Sequence, residues 1–258
     1  MEIPYTVYAR PDTGLYNAKI GIWLFLASEV MLFGGLFSAY ILLRVGADPG
    51  TWPHGWQDVT LGTINTLVLA LSAVTTLMAW VACKVRQFGK FRFFHGCTLL
   101  LAAAFVVIHL TEYRDDLTHY EIHLTNGQIA DGHMLENNPK TDHVMIDGRY
   151  VKNESDLIDL RGQKIHDTEI KIPRSEIKDM QSYGPWHNDY MALDFTMTGL
   201  HLLHVLAGSI VIGFLWFTGP KMWGKEPEHF TNRVEVSGLF WHFVDLVWVF
   251  LFPVLYLT

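Results

Sequence analysis

Trp241-His242-Phe243-Val244-Asp245-Leu246-Val247-Trp248 lies inside the apolar run Val236–Leu257. Twenty-two residues of helix rise about 33 Å, enough to cross a hydrocarbon core of ~30 Å. Yet the run carries an aspartate and a histidine, each costing on the order of 2–3.5 kcal/mol at the centre of an inserted helix. A chain keeps such residues where they face protein, water or a bound headgroup. His242 and Asp245 are three apart and share one helical face.

The rest of the composition agrees with a membrane protein. Half of the 258 residues are hydrophobic, with nine Trp and sixteen Phe. The net charge of -7 is unevenly spread, and no basic block points to nucleic acid. Cys83 and Cys97 fall at predicted membrane-helix positions, fit no metal spacing and imply no disulfide framework. Met1–Asn17 is polar and lacks the pattern of a cleaved signal peptide, so the first apolar run reads as a retained span.

Working outward, four more spans appear. Ala18–Leu43 carries one acid, Glu29, about halfway along, followed by Gly34-Gly35, a pair suited to close helix approach. A turn-rich loop with Asp48-Pro49-Gly50 and Trp52-Pro53 leads to Leu61–Cys83. There Asn65, Leu69, Ser72, Thr76 and Ala79 form a stripe at helical spacing. Phe93–Tyr113 holds His95, His109 and Glu112. Met191–Phe217 places Asp194, Thr198, His201, Val205 and Gly208 on one stripe, with His204 beside it. Thr218–Glu235 reads as the loop to the fifth span.

Residues 114–189 differ in kind, with nine basic and fifteen acidic residues. Short alternating segments at Glu121–Thr125, His143–Ile146 and Ile170–Ile172 lie between turn signals. Asn126-Gly127 and Asp147-Gly148 suit tight hairpins. The fold class is therefore an all-α membrane protein: five transmembrane helices with a small β-rich extramembrane insert between helices 3 and 4. Its parts are residues 1–113, 114–189 and 190–258. The basic loops after the second and fourth spans put the amino terminus inside, and the carboxyl terminus and insert outside.

The candidate residues allow two readings each. Glu29 is a protonatable site or the partner of a lipid headgroup or buried histidine. Equally, it is a neutral acid hydrogen-bonded to a neighbouring helix. His201 and His204 could ligate a metal, but hydrogen-bonded histidine–carboxylate pairs explain them as well. His119 and His123 read as titrating surface histidines. No nucleophile–base pair, Walker loop or dinucleotide fingerprint occurs in its required context. A free-standing transporter relaying protons through Glu29, Asp194 and Asp245 lacks a visible inverted repeat.

These stretches, in order, resemble subunit III of the haem-copper terminal oxidases of the cytochrome c oxidase type. Leu26-Ala27-Ser28-Glu29-Val30-Met31-Leu32-Phe33 is similar to the segment bearing that family's membrane-embedded glutamate. Trp52-Pro53, Asn65-Thr66-Leu67 and Leu71-Ser72 resemble the next loop and helix, and Thr98-Leu99-Leu100-Leu101 through Glu112-Tyr113 the one after. Thr198-Gly199-Leu200-His201-Leu202-Leu203-His204-Val205 and Trp241–Trp248 resemble the last two. Two family helices are missing at the amino end, as in shorter bacterial forms, and the long insert departs from the usual short connection.

The resemblance implies a chain that binds no haem or copper, those cofactors residing in partner subunits. It implies bound phospholipid, and contacts with subunit I chiefly, subunit II and a small subunit IV. It also implies a bacterial inner-membrane location, with support for sustained turnover and proton uptake. Glu29 would be the embedded carboxylate, and His201, His204, Glu235, His242 and Asp245 part of a buried polar framework. The outward insert could meet a neighbouring respiratory complex. A related subunit of a quinol oxidase or nitric-oxide-reductase-like system is the alternative.

Overall fold

The computed structural model describes residues 13–48, 52, 56–138, 141–151 and 168–257, with side chains from residue 17 onward. The polar segment 1–12 and the turn residues Pro49, Gly50 and Pro53 lie outside them. Five helices follow in order: α1 Thr13–Gly46, α2 Val59–Lys84, α3 Phe88–Thr118, α4 Asp189–Lys225 and α5 Pro227–Tyr256. All five are long and apolar enough to cross a membrane.

Local chemistry sets several of their ends. Asp58 caps α2, its Oδ1 accepting from the amides of Thr60 at 2.8 Å and Leu61 at 3.4 Å. Asn188 caps α4 by accepting from the Met191 amide at 2.8 Å. The expected loop Thr218–Glu235 is instead almost wholly helical, because α4 runs through Pro220 to Lys225 and only Glu226 separates it from α5. Pro227 opens α5, where a missing amide hydrogen costs nothing and the fixed φ already suits a helix. The polar residues there sit on helix ends, which is why composition read as loop. Likewise, α3 continues past Tyr113 to Thr118.

Helices α2, α3, α4 and α5 close into a four-helix ring, and α1 packs outside against α4 and α5. The buried stripe of α2 is Gly62, Asn65, Leu69, Ser72, Thr76, Ala79, Ala82 and Cys83. On α3 it is Phe91, His95, Thr98, Ala102, Phe105, His109 and Glu112. The alternating steps of three and four are the 3.5-residue period of helices packed at shallow, left-handed angles. The α4 stripe holds the expected Asp194, Thr198, His201, Val205 and Gly208, all buried. Gly208 lets the ring of Trp241 approach, since a Cβ there would lie 2.9 Å from its Cε3. Gly34 and Gly35, expected at a helix contact, have no atom of the described residues within 4 Å of an added Cβ. They lie off the stripe that α1 buries, namely Leu26, Phe33 and Tyr40.

The insert is a five-stranded antiparallel sheet in the order β4-β3-β2-β1-β5. Its strands are β1 His119–Leu124, β2 Ile129–Glu136, β3 His143–Val151, β4 Thr168–Pro173 and β5 Ile177–Ser182. Asn126-Gly127 turns the first hairpin, with Gly127 at φ 84°. Asp147-Gly148 does not form a turn; it lies within β3, with Gly148 facing Gly132 of β2. A Cβ on either glycine would strike the other strand's backbone. The pair is there for close approach, a use that the dipeptide alone does not distinguish from a turn.

Buried polar groups fasten the sheet to the helix ends. Glu121 and Asp131 face each other across β1 and β2, a like-charge pair that is ordinarily unfavourable. The Tyr183 hydroxyl bridges them, 3.0 Å from Glu121 Oε2 and 3.1 Å from Asp131 Oδ1. His123 Nε2 lies 2.9 Å from Glu121 and His119 Nε2 3.0 Å from Asp131, so neither histidine is the plain surface group expected. Burial alone would raise the Glu121 carboxyl. Hydrogen bonds from His187 and Tyr183, with the charges of His187 and His123, outweigh it and hold the group below the usual range. Trp56 stacks near Tyr183 and donates to Asp116 Oδ1 at 3.0 Å, joining the loop before α2 to the end of α3.

Gly208→Val should destabilise the detergent-solubilised protein by about 1–3 kcal/mol through overpacking against Trp241. Gly34→Ala should stay within about 0.5 kcal/mol of the parent. Denaturation midpoints of the two variants measure both. Equal losses would contradict the packing described.

Candidate functional site: a buried Glu29–His204 pair

Glu29 arises where α1, otherwise lipid-facing, turns its one acid toward α4. Its Oε2 lies 2.9 Å from His204 Nε2, with the two side chains 14% and 10% exposed. His204 Nδ1 lies 2.7 Å from the Leu200 carbonyl. A carbonyl only accepts, so Nδ1 carries a hydrogen and the tautomer question moves to Nε2. Either a protonated Glu29 donates to a neutral imidazole, or an imidazolium donates to a carboxylate. Both arrangements hold one proton in the contact. Phe33, 5.4 Å from the imidazole centroid, and Phe240, stacked at 6.2 Å, wall it from lipid.

Two further polar contacts pin α1 along its length. Lys19 Nζ is 2.6 Å from Glu235 of α5, whose other oxygen lies 3.8 Å from Lys84 at the end of α2. Near the other end, the Tyr40 hydroxyl donates to the Val254 carbonyl at 3.1 Å. Lys19, Glu29 and Tyr40 thus tie α1 to α4 and α5 at three depths about 32 Å from first to last.

The remaining candidates separate from that pair. His201, only three residues from His204, points into the four-helix core and packs on Phe105 and Trp248. A three-residue step turns a helix by about 60° short of a full turn, enough to give the two histidines different neighbours. Asp194 is buried in the same core and its Oδ2 accepts from Gln57 Nε2 at 3.0 Å. Asp245 is buried on the α5 stripe. His242 is half-buried and lines a groove of about 180 Å³ with Glu235, Thr76 and Trp80. His109 and Glu112, adjacent at 3.1 Å, form a second buried histidine–carboxylate pair that sequence reasoning noticed but did not single out. Their i, i+3 spacing was the available signal. Among the described residues no group of three or more His, Cys, Asp or Glu has the arrangement of a metal site.

Comparison with known proteins bears on what such a membrane chain is. Residues 183–258 match the family model described as cytochrome c oxidase subunit III. Along most of its length the chain is similar to cytochrome c oxidase subunit 3 of Bacillus subtilis (strain 168). The two are 25% identical, over 93% of this chain and 86% of that protein. Similarity to cytochrome c oxidase subunit 3 of Thermostichus vulcanus is 26% identity, over 92% of this chain and 86% of the relative. Quinol oxidase subunit 3 of Bacillus subtilis (strain 168) is 24% identical, over 96% of this chain and 90% of that protein. With five membrane-length helices in the expected order and these matches along them, the chain is similar to subunit III of the haem-copper oxidases.

Proposed function

We propose that this chain is the non-catalytic subunit III of a proton-pumping cytochrome c oxidase. In that role it steadies subunit I, organises phospholipid and favours proton delivery to subunit I. The observation that carries the reading is the Glu29–His204 contact, a buried carboxyl and imidazole 2.9 Å apart between two membrane-length helices. It occupies the place where the resemblance puts the family's embedded carboxylate. Subunit II and a small subunit IV complete the proposed partners, with haem and copper held outside this chain.

The quinol oxidase reading has comparable support, because a quinol oxidase subunit 3 is nearly as similar as the cytochrome c oxidase relatives. We take cytochrome c as the donor because the family model is described in those terms. A free-standing transporter is disfavoured by geometry. Glu29 faces α4 from outside the ring, whereas Asp194 and Asp245 lie within it, so the three do not form one relay. The basic residues around the α2–α3 and α4–α5 junctions lie opposite the sheet in chain order. They favour an inside amino terminus and an outside sheet in a bacterial inner membrane.

Oxidase purified without this chain should keep its haem absorbance, oxidise cytochrome c and lose activity progressively during turnover. Loss of the haem spectrum, or electron entry from quinol alone, would overturn the respective part of the reading. Glu29→Gln should still donate to His204 and assemble normally, yet shorten the active lifetime because the carboxyl is gone. Glu29→Leu should weaken assembly by about 1–3 kcal/mol, since His204 is left without its partner. Subunit stoichiometry and activity decay separate the two effects. In intact cells stripped of outer membrane, an impermeant amine reagent should reach the exposed Lys171 and Lys178 of the sheet. Labelling only after the inner membrane is broken would reverse the orientation.

A further inference from the structure

A second polar system runs inside the four-helix ring, away from Glu29 and His204. Nine side-chain nitrogens and oxygens of Asn65, His109, Glu112, Asp194, His201 and Asp245 are buried without a protein partner. They come from all four helices of the ring, and each residue is more than nine-tenths buried. Scattered orphans would be unremarked, but these are linked. The Tyr256 hydroxyl reaches Glu112 Oε2 at 3.2 Å, and His109 Nδ1 lies 3.1 Å from the same oxygen. Trp248 packs between His109 and His201, at 5.8 and 5.1 Å between centroids, and donates to Thr66 beside Asn65. Two helical turns away, Trp241 donates to Ser72, with Asp245 between the two tryptophans on the same helix.

The two ends of this seam differ. At the sheet end, Glu112 also lines a cleft of about 240 Å³ formed with Trp56, Asp116, His119 and His133. At the far end, the hydroxyls of Thr75, Thr76 and Thr98 are followed by the buried His95 imidazole, which packs on Phe91 at 4.7 Å between centroids, and then by apolar side chains. Phe91, Leu215, Phe230 and Val234 are almost wholly buried there, with the Phe91 and Phe230 rings edge to face at 5.2 Å. Polar at one end and plugged at the other, the seam has the form of a blind inlet.

We propose that the ring of α2, α3, α4 and α5 is a water-binding inlet, entered beneath the sheet at Glu112 and closed at Phe91–Phe230. Its ligand is water, and its function is to let Asp194 and Asp245 exchange protons with the sheet side alone. Buried polar groups in a hydrocarbon phase demand partners, and a polar interior site takes up water that makes about three hydrogen bonds each. The unpartnered donors and acceptors of Glu112, His201 and Asp245 supply such sites. The apolar plug prevents the same water from becoming a leak.

Two measurements on the assembled complex test this. A map sharp enough to show ordered water should place it against His201, Asn65 and Asp245. Dry density around all three overturns the inlet. Infrared difference spectra in D2O give an independent reading, with the carboxyl bands assigned by Asp194→Asn and Asp245→Asn. Both bands should shift well before the amide protons of α5 exchange. If they shift only together with those amides, the carboxyls are sealed from solvent and the proposal fails. Should either variant not assemble, the wild-type map still decides.

Discussion

A hydrocarbon core offers no hydrogen bonds, and that constraint governs where every polar side chain of this chain stands. An unpaired carboxyl or imidazole is costly there, so each must meet another polar group or bound water. The outcome is two separate systems. One lies between α1 and the ring, where Glu29 meets His204. The other lies within the ring, where histidines and acids of three helices and Asn65 of the fourth converge around Trp241 and Trp248. Apolar packing does not discriminate one greasy helix face from another in lipid, so these polar contacts decide which faces meet. Small residues such as Gly208 then let the backbones close.

The five helices were legible because length and hydropathy act residue by residue, without reference to the fold. So were the α2 and α4 stripes, whose polar residues recur at helical spacing. What the chain order concealed was the neighbour on each face. His201 and His204 look like companions in sequence, yet a single step around the helix sends one to Trp248 and the other to Glu29. Gly34-Gly35 looks like a contact and is not one among the described residues, because the buried stripe of α1 passes beside it. Asp147-Gly148 shows the same limit in the sheet. Glycine serves turns and close strand approach equally, and only pairing with Gly132 separates the uses.

Charge was similarly ambiguous. Glu121 and Asp131 contribute to an acidic insert that composition treats as solvated surface, yet both are buried. Tyr183 and His187 come from one place in the chain and His119 and His123 from another to meet them. Such a junction forms only after the sheet and helix ends have met, so no local pattern announces it.

The continuity of α3 with the sheet has a mechanical consequence. The helix holds 31 residues, about 46 Å, and β1 begins at the next residue, His119, with no slack between them. A partner that pushed or twisted the sheet would therefore apply torque to a rigid rod that carries His109 and Phe105 within four turns of the junction. The force would arrive at Trp248, the last tryptophan of the Trp241–Trp248 motif, through ring contacts already in place. The insert is in this sense a handle on the membrane core.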